Sequence, residues 1–220
     1  MRVIAIDGPA GSGKSTVARA VAKRLHLKYL DTGAMYRAVT FAVLRAGGDP
    51  DDEVVVARTA HNLELDVGLD TVIVDGVDAT VEIRGPDVSR AVSAVASNPE
   101  VRRELVSRQR QWVQMRGGGV LEGRDIGTVV FPDAELKIYL TADPAERARR
   151  RAEEVGDPDY AAVAADIARR DAIDTSRSTD PLAEAEDAKV VDTTGLTIEQ
   201  VVDHIAALLD VSPGSGEETA

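Results

Sequence analysis

The octapeptide Gly8-Pro9-Ala10-Gly11-Ser12-Gly13-Lys14-Ser15 fits the pattern G-x-x-x-x-G-K-[ST] in full. That pattern has one structural context, a buried strand entering the loop and a helix leaving it. Both flanks comply. Arg2–Ile6 is a short apolar, β-branched run, and Val17, Ala18, Val21, Ala22 and Leu25 recur at helical spacing. Glycines let successive N–H groups turn inward around phosphate oxygens with no Cβ in the way. The helix N-terminus adds the positive end of a dipole. Lys14 is expected to reach the β- and γ-phosphates of a nucleoside triphosphate and Ser15 to ligate Mg²⁺, with Thr16 completing the donor site.

The rest of the chain predicts strands joined by helices, hence a mostly parallel sheet covered on both faces. A strand near Lys28–Leu30 ends in Asp31-Thr32-Gly33. Helices follow over Ala34–Ala46 and from an Asp51 or Asp52 cap to Asn62. The stretch 63–84 reads differently. Leu63–Val67, Thr71–Val74 and Thr80–Ile83 are β-rich and separated by Gly68 and Asp75-Gly76, as in a small antiparallel sheet. Helices at Asp87–Ala96 and Pro99–Arg116, strands at Val120–Glu122 and Leu136–Leu140, and a helix capped by Asp143-Pro144 come next. After a break at Gly156-Asp157-Pro158, a helix runs to Ser176, a strand covers Lys189–Val191 and a helix Thr197–Leu209. The expected fold is a P-loop three-layer α/β/α domain over 1–210 with a five-stranded sheet, a β-rich insert and a short lid. Residues 211–220 read as a disordered acidic tail.

Composition narrows the function. The formal charge of −12 and 3% aromatics argue against a nucleic-acid partner, which needs a basic surface and stacking platforms. No long apolar run predicts a membrane span, and Met1–Asp7 reaches an Asp too soon for a signal-peptide core. With no cysteine, a cytoplasmic location is expected and thiolate chemistry is excluded. Arginines nevertheless cluster near 102–110, 147–151 and 169–177. In an acidic chain that clustering suggests a small anion held in a concave site. Exposed helix charges paired with nearby acids are the plainer reading for any single one.

Three strings, IDGPAGSGKST, LDTGAMYR and GRDIGTVVFPDA, resemble the bacterial cytidylate kinases of the nucleoside monophosphate kinase fold. The resemblance covers about residues 2–209, including the β-rich insert at 63–84. It implies that Arg37, Arg124 and Arg177 hold the acceptor phosphate, for which planar guanidiniums are suited. It further implies that Ser93, Arg102 and Asp125 read the cytosine edge, that Arg170 and Asp174 hold the ribose, and that Thr32 and Tyr36 line the same site. A carboxylate with a hydroxyl suits the exocyclic amine of cytosine, and an arginine suits its N3 and O2 acceptors. Arg170, Asp174 and Arg177 stand at i, i+4 and i+7, on one helical face. The NMP-binding region would span 32–98 and the lid 148–160, with Arg147 and Arg151 among the lid arginines closing over ATP.

The implied reaction is MgATP and CMP, with dCMP open, giving ADP and the nucleoside diphosphate. The acceptor oxygen is already anionic, so no general base is needed, and His26, His61 and His204 receive no role. Lys14, Arg124 and Arg177 are the expected catalytic set. Besides Ser15, the Mg²⁺ partner is open among Asp7, Asp31 and Asp125, with Asp31 favoured as an N-cap instead. Other acceptors (UMP, dTMP, shikimate) and a non-catalytic switch remain alternatives, although no N-K-x-D string is present. With no heptad seam, a monomer is expected.

Overall fold

A computed structural model of the chain describes residues 1–156 and 159–210. The expected acidic tail at 211–220, and Asp157 and Pro158 of the expected lid, lie outside the described residues. Strand β1 (Arg2–Asp7) leads through the phosphate loop into α1 (Lys14–Arg24). Then come β2 (Tyr29–Asp31), α2 (Thr32–Arg45), α3 (Glu53–Asn62), β3 (Leu65–Val67), β4 (Val72–Val74) and β5 (Val77–Asp78). A 3₁₀ turn at Glu82–Arg84 precedes α4 (Pro86–Ser97), α5 (Pro99–Arg116) and β6 (Gly118–Gly123). A π-helical turn at Ile126–Val130 is followed by β7 (Leu136–Thr141), α6 (Pro144–Val155), α7 (Tyr160–Ser176), β8 (Lys189–Asp192) and α8 (Ile198–Asp210).

The main sheet has the order β2-β6-β1-β7-β8, and every pairing is parallel. Period-2 alternation sends β1 residues to opposite faces. Val3 and Ala5 join Leu30, Leu121 and α2, α4 and α5, while Ile4 and Ile6 pack with Val17, Val120, Ile138 and Ile205 of α8. Burying each such Ile or Leu contributes about 1.5–3 kcal/mol. The three layers follow directly. Register brings Asp7 opposite Gly123 and Asp31 opposite Glu122, so three carboxylates rise at the carboxyl ends of adjacent strands. This edge is where parallel α/β sheets bind ligands.

β3, β4 and β5 form a separate antiparallel sheet, as expected, but its last strand is displaced. Thr80–Ile83 is not a strand; the third strand is Val77–Asp78. The Asp78 carboxylate accepts from both the N–H and the hydroxyl of Thr80, turning the chain there. Ile83 is thereby delivered into the core while Val81 stays exposed. No described helix is long and apolar enough to cross a membrane.

Candidate active site

The phosphate loop needs its glycines. Gly8 has φ +148, and a Cβ there would lie 2.0 Å from the Leu140 carbonyl oxygen of β7. Gly11 has φ +75, with a Cβ 2.7 Å from the Arg147 carbonyl oxygen. Gly13 is the left-handed N-cap of α1. Lys14 curls back, its Nζ donating to the Pro9 carbonyl at 2.6 Å and to Ser12 Oγ at 3.4 Å. Burial, and next the charge of Arg124, push the Lys14 ammonium well below its usual range, against the pull of Glu122. Two lid-side residues grip the loop from outside. Asp171 accepts the Ala10 N–H at 3.0 Å, and Arg147 donates to the Ala10 carbonyl at 3.0 Å and to Asp171.

Beside the loop lies an open cleft of about 1210 Å³, bordered by Gly13, Thr16, Arg150, Thr193 and Ile198. Arg150 closes its floor, donating to the hydroxyl and the carbonyl of Thr193, each at 2.9 Å. Arg147 does not border this cleft, whereas Arg151 does.

The carboxylates at the strand ends do different things. Asp31 caps α2 by accepting the Ala34 N–H at 2.9 Å and also holds Arg84 at 3.0 Å. Asp7 accepts the N–H groups of Ile126 and Gly127 at 2.9 and 2.7 Å, pinning the π-helical turn to β1. Burial outweighs those two bonds and pushes its pKa up to about 6. Glu122, absent from the sequence-based candidates, is buried beside Ser15 and Lys14 and accepts from the Tyr29 hydroxyl at 2.7 Å. Burial, then the charge of Asp31, raises its pKa, while Lys14 and Ser15 oppose. The sequence signal was slight: one acid closing the short run Val120-Leu121 before Gly123-Arg124.

A second cavity lies between α2, α4, α5, the end of β6 and α7. Every acceptor-site residue expected from the sequence borders it. At one end Asp125 takes a hydrogen bond from the Arg102 fork and a longer one, 3.5 Å, from Arg177. Arg102 lies 5.5 Å over the Tyr36 ring, and Ser93 stands buried nearby. Thr32 donates to the Glu122 carbonyl at 2.6 Å, and Asp174 accepts from Arg124 Nε at 2.9 Å.

At its other end this cavity adjoins a third, bordered among the described residues by the cations Lys14, Arg37, Arg84, Arg124, Arg151 and Arg170 and by the acids Asp31, Glu122 and Glu154. Burial and mutual repulsion lower the pKa values of Arg37 and Arg170; for Arg37 the neighbours responsible are Arg170 and Arg151. Arg170 Nε is buried with no partner. The chain has thus assembled an excess of desolvated positive charge, which a polyanion would neutralise. The two ends also sort Arg170 of α7 from Arg177, the C-cap of that helix. Arg170 stands in the cationic group with Arg37 and Arg124, whereas Arg177 stands with Arg102 and Asp125. The sequence-based grouping had placed Arg177 with Arg37 and Arg124.

A family model described as cytidylate kinase matches residues 4–210. The chain belongs to the cytidylate kinase family. It is 50% identical over 216 residues to the cytidylate kinase of Mycolicibacterium paratuberculosis, covering 94% of each chain. It is 46% identical to that of Mycobacterium leprae, covering 97% of each. A bifunctional pantoate ligase/cytidylate kinase from Prochlorococcus marinus is 50% identical over 219 residues; these cover 95% of this chain but only 43% of that protein. The chain therefore spans under half the length of such bifunctional relatives. A gluconokinase from Sinorhizobium meliloti, at 12% identity and a TM-score of 0.51 over 95% of this chain and 91% of that one, shares the fold.

Proposed function

We propose that the chain transfers the γ-phosphoryl group of ATP to the phosphate of CMP, giving ADP and CDP. One observation carries this reading. A cation-lined cavity lies between the two sites, sharing Arg151 with the cleft beside the phosphate loop and Arg37, Arg124 and Arg170 with the Asp125 cavity, as in-line transfer between two phosphates requires.

In this reading the donor triphosphate lies along Gly8–Thr16, and Lys14 leaves the Pro9 carbonyl for the β- and γ-phosphates. Arg37, Arg124 and Arg170 hold the acceptor phosphate, and Arg151 reaches the transferring group from the lid. Arg170 thus takes the phosphate role that the sequence suggested for Arg177. Arg124 is preset by Asp174, so little orientation entropy is lost when the phosphate arrives. Arg177 then braces the base-reading carboxylate and acts at a distance from the transferring group. Asp125 accepts from the cytosine amine, with Ser93 alongside, and Arg102 donates to the base acceptors. Uracil would set a carbonyl against the Asp125 carboxylate, and buried acceptor against acceptor is a strong discriminator.

The residues fit Mg²⁺. Ser15 and Glu122 supply hard oxygen donors beside Lys14, too few for an all-protein cage and suited to a cation shared with phosphates, while Asp31 is held by the Ala34 N–H and Arg84. Bound there, Mg²⁺ would neutralise charge on the phosphate oxygens. Glu122, fixed by the Tyr29 hydroxyl, replaces Asp7 and Asp125 as the candidate acid, because those two carboxylates are occupied elsewhere. Residues 32–98 form the acceptor-binding region and 148–160 the lid. A monomer suffices, since one chain supplies every group named, and the cysteine-free composition suits the cytoplasm. An ADP-release assay over CMP, dCMP, UMP, dTMP and shikimate tests the reading. Turnover with CMP no faster than with UMP or dTMP would overturn it.

A further inference from the structure

Asp180 lies outside the phosphate loop and receives no role from the resemblance, yet it touches both arginines at the base end. It lies on the segment after α7, with φ +49, a conformation that Asp and Asn tolerate better than other L side chains. That bend aims two acceptors of a single residue at the pair. Its carboxylate accepts from Arg102 Nε at 2.7 Å, and its carbonyl accepts from Arg177 Nε at 2.7 Å. Arg102 and Arg177 in turn converge on the two oxygens of Asp125. The result is a closed ring, Arg102–Asp125–Arg177–Asp180, tying α5, the end of β6 and the end of α7. The side chains of Arg102 and Asp125 are 2% and 7% exposed, and that of Asp180 is 26% exposed.

The ring has two acids and two bases, so it balances internally. Without Asp180, Asp125 alone would face two buried guanidiniums. Arg102 would also lose the bond at Nε that restrains rotation of its planar guanidinium about the Cδ–Nε axis. The NH2 bond to Asp125 and a 3.4 Å contact from NH1 to the Ala96 carbonyl would then hold it without that third anchor. A planar donor that must meet two acceptors on one base edge depends on that rotation.

We propose that Asp180 is a positioning residue for base recognition, holding Arg102 and Arg177 so that Asp125 and Arg102 present a fixed pattern to cytosine. This inference rests on the reading of the Asp125 cavity as the CMP site. Asp180 touches no substrate in this account; it acts through the two arginines.

Two variants separate its charge from its shape. Asp180→Asn keeps the tolerated backbone bend and one acceptor oxygen for Arg102 Nε. Asp180→Gly keeps the bend and removes the acceptor. The measurements are CMP and UMP kinetics at saturating MgATP, KM for ATP, and calorimetric binding of CMP alone. For Asp180→Gly we expect CMP binding weakened and KM for CMP raised about tenfold, the scale of one lost charge-assisted hydrogen bond. The kcat at saturation and KM for ATP should stay within about twofold, and the CMP:UMP ratio of kcat/KM should fall. Asp180→Asn should lie between the variant and the wild type. CMP binding and a CMP:UMP ratio unchanged in Asp180→Gly would overturn the proposal. So would parallel loss of ATP and CMP binding, which would mark a merely structural role. If the wild type itself shows no preference for CMP, the reading of the cavity fails first; if it does and the variants match it, only the role of Asp180 fails.

Discussion

Arg170→Met should stabilise the free protein while it weakens CMP binding. Arg170 is buried on α7, its Nε has no partner, and burial together with the charge of Arg124 disfavours its ionised form. An orphaned buried donor costs about 1–3 kcal/mol. Methionine keeps an unbranched stem of similar length and is a good helix former, so packing is preserved while the charge is removed. For a chain of this size each kcal/mol moves Tm by about 2–4 °C, so the ligand-free variant should melt roughly 2–12 °C higher. In the complex the same group would donate to a phosphate, a charge-assisted bond contributing about 1.5–3 kcal/mol. CMP affinity should therefore fall about tenfold to a hundredfold. Thermal unfolding with and without CMP reads both effects in one experiment. A variant that melts lower than wild type without ligand, and gains as much from CMP, would refute the reasoning about uncompensated charge.

Three further outcomes follow from neighbouring groups. Glu122→Gln should weaken the Mg²⁺ dependence of ATP binding about tenfold, measured by titrating Mg²⁺ at fixed ATP; an unchanged Mg²⁺ midpoint would remove Glu122 from the cation site. Lys14→Met should reduce ATP affinity with CMP binding alone little altered, since Lys14 serves the donor side; calorimetry with each nucleotide separately decides it. Asp7, raised from 3.8 to about 6 in the folded protein, binds its proton more tightly when folded than unfolded. Its contribution is therefore fully present below about pH 4 and declines as pH rises to about 6, by up to about 3 kcal/mol. Denaturant unfolding from pH 4 to 7 should show this decline in the wild type and not in Asp7→Asn; equal slopes would contradict it.

Local rules were legible in the chain. The phosphate loop with its strand and helix, a cap at Asp51 or Asp52 (Asp52 in the structure) and the Pro99 helix start all depend on neighbours within a few residues. The strand expected at Thr80–Ile83 failed because Asp78 competes for the Thr80 N–H, a side-chain bond that β-propensity does not count. The residues expected around the acceptor do share one cavity, but their grouping was less legible. The spacing put Arg170 and Arg177 on one helix face, but α7 ends at Ser176 and Arg177 caps it in extended backbone; seven residues at a 1.5 Å rise separate the two by about 10 Å, enough to serve opposite ends of a small ligand. Asp171 and Asp180 were not legible at all, and Glu122 only slightly. Each acts on a partner far away in sequence, as with Asp171 and Ala10, 161 positions apart. Only the register of the parallel strands and the return of α7 over the loop bring such groups together.

The central claim is that the Asp125 cavity selects CMP as acceptor for the phosphoryl group delivered at Lys14. The most direct test measures kcat/KM for CMP and for UMP with the same enzyme and MgATP, while product analysis follows CDP and inorganic phosphate. The account predicts one CDP per ADP, with CMP favoured over UMP by at least about a hundredfold, the scale of one mispaired buried polar group. Equal kcat/KM for the two nucleotides, or ADP accompanied by inorganic phosphate instead of CDP, would contradict it.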